Sequence, residues 1–487
     1  MRRDRGRRTA PVPYEPTSPS ELLDRTRRRS AEMRRARRVR ATGSLAIVLA
    51  AALVVALLPG GRRLPSPTER SGGPLGYEHL AGAKELTGDV SRAGSAPSPV
   101  EAAVQQAEVS FSLRLLDRLT AGGGAHNVLI APFSLATALA MLELGSAGTT
   151  EHAIARTLGT ADLSPAEQAV GWSTLDRRVV GSAAGSSARA SRMPKLDLAD
   201  ALWIQSGFPV EPSFVDALAA YFDSGLWTVD FAHDPRGAAV ALNRWASRHT
   251  DGQIRRIFGP GGIDELTRVV LANGVYLRAL WSNRFSPHES LAPFHLPSGK
   301  VISAPFMSRN PSGGVVDARA SIGSRYRAVD LPYAGGRLSA LVIEPTGGET
   351  LDRLVAGLSP ASLARIVAGL HEMRLSSLTL PSFDLQSRLR LDTPLSAMGM
   401  RVAFEAADFS GITRRIALHV QAVQQDADLR VSPDGTVGAA VTGVSVGLSS
   451  LPMLPSLTFD HPFLFVVRDA TTGAVLFEAA VEDPLAR

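Results

Sequence analysis

The sequence predicts an α+β fold for residues 100–487, and three observations carry that expectation. Helical and strand-like segments alternate there in an irregular order, without the repeated strand–helix unit of a wound parallel sheet. No stretch repeats another. The chain is 45% apolar and 20% charged over 487 residues, which suits a globular body with a sizeable core.

The N-terminal hundred residues read differently. Residues 1–40 hold 14 arginines against 5 acidic side chains, a net of +9, while the other 447 residues hold 38 basic and 41 acidic ones, a net of −3. The basicity therefore belongs to a tail, and no nucleic-acid partner is expected of the body. From Ala41 to Gly61 the chain reads ATGSLAIVLAAALVVALLPGG, without a charge. As a helix it extends roughly 31 Å, about the thickness of a bilayer's hydrocarbon core. Arginines on its N-terminal side predict a cytoplasmic N-terminus and an extracytoplasmic body, with the basic tail as a topology and phospholipid-facing flank. A cleaved signal segment, leaving a secreted body, is the closest rival. The long basic region and the lack of an A-x-A site favour an uncleaved anchor. An Arg37-Arg38 pair matches only a fragment of a twin-arginine signal. Residues 62–99, with PSPTERSGGPLG and AGSAPSPV, read as a Pro/Gly/Ser-rich linker.

The body opens with AAVQQAEVSFSLRLLDRLTAG, whose Ala, Val, Phe and Leu recur at helical spacing before a run of glycines. Cysteine is absent, which excludes disulfides, a thiol nucleophile and thiolate metal sites. Lys84, Lys195 and Lys300 are the only lysines against 49 arginines, a skew typical of a GC-rich bacterial genome. There is no G-x-S-x-G elbow, H-E-x-x-H, Walker loop or G-x-G-x-x-G after a strand. The ten histidines offer no pair at metal-ligand spacing on a helix face, and His371-Glu372 reads as an exposed helix pair. No enzyme activity, metal or cofactor is expected.

One stretch is paradoxical. GTVGAAVTGVSVGLSSLPMLPSLT, from Gly435 to Thr458, has the Gly, Ser and Pro of a loop and the alternating Val and Thr of a strand. Its neighbours supply a context. NVLIAPFSLATALAMLELGSAGTTEHAIARTL (127–158), ALWIQ (201–205), DFAHDPRGAAVALNRWASRHTDGQI (230–254) and RVVLANGVYLRALWSNRF (268–285) resemble, in order, segments of the serpins, a family of serine-protease inhibitors. APFHLPSGK, AVDLPYAGGRLSALVIEP, LPSFDL, MGMRVAFEAADFSGI and FDHPFLFVVRDATTGAVLFEAAVEDP continue the family's order, so the resemblance spans about residues 100–487.

The resemblance implies a central mixed β-sheet, two further sheets, surrounding helices and an exposed reactive loop. It also implies a suicide mechanism in which a target serine protease attacks the loop and is trapped as acyl-enzyme when the cleaved loop inserts into the central sheet. The loop hinge would then be Gly435, Thr436, Val437, Gly438, Ala439, Ala440, Val441 and Thr442. Thr436, Gly438, Ala440, Thr442, Val444 and Val446 would share one face of the inserted strand. About fourteen residues at roughly 3.3 Å each reach ~46 Å, most of the width of such a domain.

Counting from Gly435 by the family's loop length places the reactive bond at Ser449–Ser450, with Leu448–Ser449 as the alternative. The loop has no Arg or Lys, which points to an elastase-, subtilisin- or chymotrypsin-like target rather than a trypsin-like one. Ser134, Asn273, Trp281 and Gln425 stand where the family controls opening of the sheet. Gln425 replaces a common histidine and Ala131 a common serine. Pro433, without an amide hydrogen, is expected to limit pairing before the hinge. Pro433 and Val437 depart from the family's hinge and favour the alternative, a non-inhibitory serpin-fold protein whose loop is cleaved without trapping. The body is expected to be a monomer.

Overall fold

The segment PFSLATALAMLE has no polar face, and a helix that is apolar all round belongs inside a protein. In the computed structural model it forms the helix Pro132–Glu143, every residue of which is buried. The structure describes residues 82–121, 126–180, 194–222, 224, 226–250, 252–309, 314–436 and 454–486.

Three sheets and a set of helices make up the described body, an α+β fold. Strands are numbered in chain order. The central sheet runs β1 (Ala83–Leu86), β4 (Leu226–Val229), β3 (Lys195–Gln205), β5 (Val269–Leu280), β15 (Gly435–Thr436), β14 (Ala422–Ser432) and β13 (Phe383–Arg390). It is mixed, because β3 pairs β4 and β5 pairs β14 in parallel. The second sheet runs β11 (His371–Leu375), β8 (Val316–Ile322), β9 (Tyr326–Pro332), β10 (Leu338–Pro345), β17 (Phe463–Asp469), β18 (Val475–Val481) and β2 (Val128–Ile130). In β10, β17 and β18 every residue is buried, the apolar majority together with Ser339, Glu344, Arg468, Asp469 and Glu478. The third sheet is β16 (Ser456–Thr458), β12 (Ser377–Pro381), β7 (Val301–Arg309) and β6 (Ser290–His295). The buried helix Pro132–Glu143 packs on β3 and β5 on one side and β18 on the other, so it joins the two large sheets into one core.

The predicted opening helix forms over Ser98–Thr120 and buries Val104, Phe111, Leu115 and Leu116. Two readings are corrected. The linker 62–99 is not a tether to its end, because Ala83–Leu86 pairs antiparallel with Val229–Leu226 as the edge of the central sheet. Beyond it, the Arg177 guanidinium donates to the carbonyls of Ala93 (2.7 Å) and Gly94 (2.8 Å), and the Ala96 amide donates to Thr174 Oγ1 (2.8 Å). Four residues, AKEL, are too short for periodicity to register inside Gly- and Pro-rich sequence, and the edge of β4 supplies the partner. His371 and Glu372 are exposed, but in strand β11 rather than a helix; cross-strand pairing with Ala320 and Arg319 decides the conformation. Among the described residues no helix is long and apolar enough to cross a membrane. The tail 1–40 and the anchor 41–61 lie outside the described residues.

Candidate functional site

The seam between β5 and β14 is the feature to which the loop connects. Its lower part is closed: Ala422 to Asp428 pair in parallel with Val270 to Tyr276. Its upper part is wedged open by β15, where Gly435 and Thr436 pair antiparallel with Ser432 and Val431 on one side and with Leu280 and Ala279 on the other. The chain reverses from β14 into β15 through Pro433 and Asp434. Pro433 sits in that turn, so the ladder asks nothing of its missing amide, and its carbonyl accepts from the Phe285 amide at 3.0 Å. The expectation that Pro433 limits pairing is thereby corrected.

Gly435 is required by space. A Cβ there would lie 2.1 Å from the Ala279 carbonyl oxygen and 2.7 Å from Leu280 Cα. Thr436 is fully buried, its hydroxyl 2.7 Å from the Tyr333 hydroxyl. Tyr333 stacks on Trp281 with centroids 4.5 Å apart, and Trp281 Nε1 donates to the Ser432 carbonyl at 2.9 Å. Burial pushes the Tyr333 phenol up, so it stays a neutral hydroxyl that bonds the hinge. Trp281 thus packs at the top of the seam, against the turn that starts the loop. Val437 to Thr442 and the candidate bonds at Leu448, Ser449 and Ser450 lie outside the described residues.

Lower in the seam, register places three polar side chains in one row. Asp200 of β3 faces Asn273 of β5, and Asn273 faces Gln425 of β14. Gln425 Nε2 donates to Asn273 Oδ1 at 2.7 Å across the seam and to the Ala131 carbonyl at 2.9 Å, while its Oε1 accepts from the Ala131 amide at 2.9 Å. A glutamine amide can donate and accept at once, so Gln425 ties the row to the buried helix through the backbone of Ala131, and no side-chain hydroxyl is needed there. Asn273 Nδ2 donates to Ser134 Oγ at 2.6 Å. Ser134 Oγ donates to Asp200 Oδ1 at 2.5 Å, and Asn273 Nδ2 donates to the same oxygen. Ser134, Asn273 and Gln425 are therefore brought together, with Trp281 nearer the hinge.

Asp200 was missed. Burial, reinforced by the charge of Asp176, pushes its carboxyl up to about 8 against the lowering bonds from Ser134 and Asn273. The signal was present: Leu196, Leu198, Leu202 and Ile204 share its face of β3, so Asp200 is an acid on an otherwise apolar inward face. A second cluster, also missed, gathers Glu344, Asp460 and His461 with ligand atoms within 4.8 Å of one another, the kind of group that could hold a metal. Arg327 already pairs with both carboxylates there, 2.7 Å from Asp460.

The family model for serpins (serine protease inhibitor) matches residues 106–484. The chain belongs to the serpin family. Plasminogen activator inhibitor 1 of Sus scrofa is 28% identical over 396 residues, covering 80% of this chain and 95% of the relative. Glia-derived nexin of Rattus norvegicus is 31% identical over 366 residues, covering 74% and 88%. Among solved structures, thyroxine-binding globulin in complex with thyroxine superposes with a TM-score of 0.68 at 22% identity, covering 78% of this chain and 99% of that one, a likeness of fold. The family is described as one of serine protease inhibitors and includes plasminogen activator inhibitor 1, and the same fold is found in a thyroxine-binding globulin.

Proposed function

We propose that this serpin is a suicide inhibitor of a serine protease, trapping the acyl-enzyme by inserting its cleaved loop between β5 and β14. The observation that supports this most is β15. The first two hinge residues already form a strand in the upper seam, with Thr436 turned inward. A strand that continues downward exchanges one β5–β14 ladder for two new ones. With roughly a dozen added hydrogen bonds at ~1 kcal/mol each, plus apolar burial, the gain exceeds about 10 kcal/mol. Small residues at Gly438 and Ala440 would enter first on the inner face.

The loop's lack of basic residues supports an elastase-, subtilisin- or chymotrypsin-like target, cut at Ser449–Ser450 or at Leu448–Ser449. The uncharged run 41–61, with arginines on its N-terminal side, supports a membrane anchor with an extracytoplasmic body. Mixing the full-length chain with such proteases tests the reading: a covalent band of summed mass on denaturing gels is expected, and it survives deletion of residues 1–40.

A second reading is a serpin whose loop is cleaved without trapping. The hydrogen bond from Gln425 to Asn273 across the seam favours it, because insertion must break it. Cleavage without a covalent band, and without a gain in heat resistance, selects that reading.

A further inference from the structure

A cavity of about 610 Å³ opens where four segments meet: the end of β6, the loop from β10 to the helix Leu351–Ala356, the start of β17 and the end of β18. Its wall carries five carboxyls, those of Glu344, Glu349, Asp352, Asp460 and Glu482, and a single guanidinium, Arg327. Arg327 is already taken. It pairs with Glu344 and lies 2.7 Å from Asp460. Among the described residues the other three carboxyls, of Glu349, Asp352 and Glu482, form no ion pair or hydrogen bond.

Glu482 points most directly to a ligand. It is only 7% exposed and borders the cavity without a partner for its carboxyl, and the charge that acts on it is the like one of Asp352. Burial, and then Asp352, raises its pKa to about 7. A buried carboxyl with no counter-ion and a second acid nearby is costly to ionise until a cation arrives.

Spacing decides which cation. A metal ion needs ligand atoms that converge to within roughly 2–2.6 Å of one point. Among the described residues the group whose ligand atoms approach to within 4.8 Å is Glu344, Asp460 and His461, and Arg327 occupies it. The three remaining acids share the wall with the apolar surfaces of Leu296, Pro345, Leu351 and Pro462. Separate anionic points on a partly apolar wall match separate cationic points joined by methylene spacers, and the volume suits a small ligand.

We propose that this cavity binds a linear aliphatic polyamine, with its ammonium groups on Glu482, Asp352 and Glu349 and its methylenes against the apolar wall. The site does not depend on protease trapping.

Spermidine is the probe and the uncharged octanediol of the same chain length its counterpart. Each is titrated into the full-length chain by calorimetry at pH 8.5, above the value to which Glu482 is raised, and at about 0.15 M salt, which screens exposed charges. Saturable 1:1 binding of spermidine is expected, at least tenfold tighter than that of the diol and at least tenfold weaker in Glu482→Gln. Asp352 is exposed, so Asp352→Asn leaves the core intact, and it should weaken binding at least threefold. Glu372→Gln, at an exposed acid on β11, should change nothing. Absence of binding, equal affinity for spermidine and the diol, affinity unchanged in Glu482→Gln or Asp352→Asn, or an equal loss in Glu372→Gln would each overturn the site.

Discussion

The Thr436 hydroxyl lies 2.7 Å from that of Tyr333, fully buried, so the first inward residue of the loop hinge is already part of the core. A guanidinium has no partner there. Thr436→Arg is expected to expel the hinge from the seam and to turn the protein from inhibitor into substrate. Covalent complex should fall at least tenfold relative to cleaved chain on denaturing gels, while the rate of loop cleavage is retained.

Gly435 is the tightest point of the wedge. In Gly435→Ala the new methyl meets the Ala279 carbonyl, and strain of about 1–3 kcal/mol follows. Urea unfolding should show a correspondingly lower stability, and the Thr436 amide should exchange its hydrogen faster as β15 detaches.

Asp200 makes stability depend on pH. Its carboxyl is raised to about 8 in the folded protein, chiefly by burial and then by the charge of Asp176, against bonds from Ser134 and Asn273; an unfolded Asp titrates near 3.9. The native state therefore holds a proton that the unfolded state has released across that window. The contribution is fully present below about pH 4 and is lost as pH rises through about 8. Glu108, Glu143, Glu344, Asp426, Glu478 and Glu482 are raised in the same sense by burial, so wild type alone does not isolate Asp200. The difference does: the stability of Asp200→Asn relative to wild type should rise between pH 5 and pH 8.5 in urea titrations. A pH-independent difference would refute the assignment.

Arg177 holds the N-terminal segment through the carbonyls of Ala93 and Gly94. Arg177→Ala is expected to loosen residues 83–97. The variant should show faster hydrogen exchange in β1 and earlier proteolytic nicking there, with protease trapping unchanged.

Much of this was legible in the sequence because the family's segments lie in order, and Ser134, Asn273 and Gln425 could be placed by their neighbours. What remained hidden depends on pairing between distant strands. AKEL acquires its conformation from β4, and His371 acquires its own from β8. Pro433 looked obstructive until the turn it occupies was known. Asp200 was readable in principle, as an acid on the apolar face of β3. Its weight comes from the register that sets it opposite Asn273, which no local pattern reveals.

On the proposed mechanism, the loop continues the strand begun by Gly435 and Thr436 once it is cleaved. The most direct measurement is a denaturing gel of the full-length chain reacted with subtilisin-, elastase- and chymotrypsin-like proteases, followed by thermal unfolding of the cleaved chain. An SDS-resistant band at the summed mass with at least one protease, and a large rise in thermal midpoint after cleavage, are expected. Complete cleavage with neither the band nor the rise would contradict the mechanism.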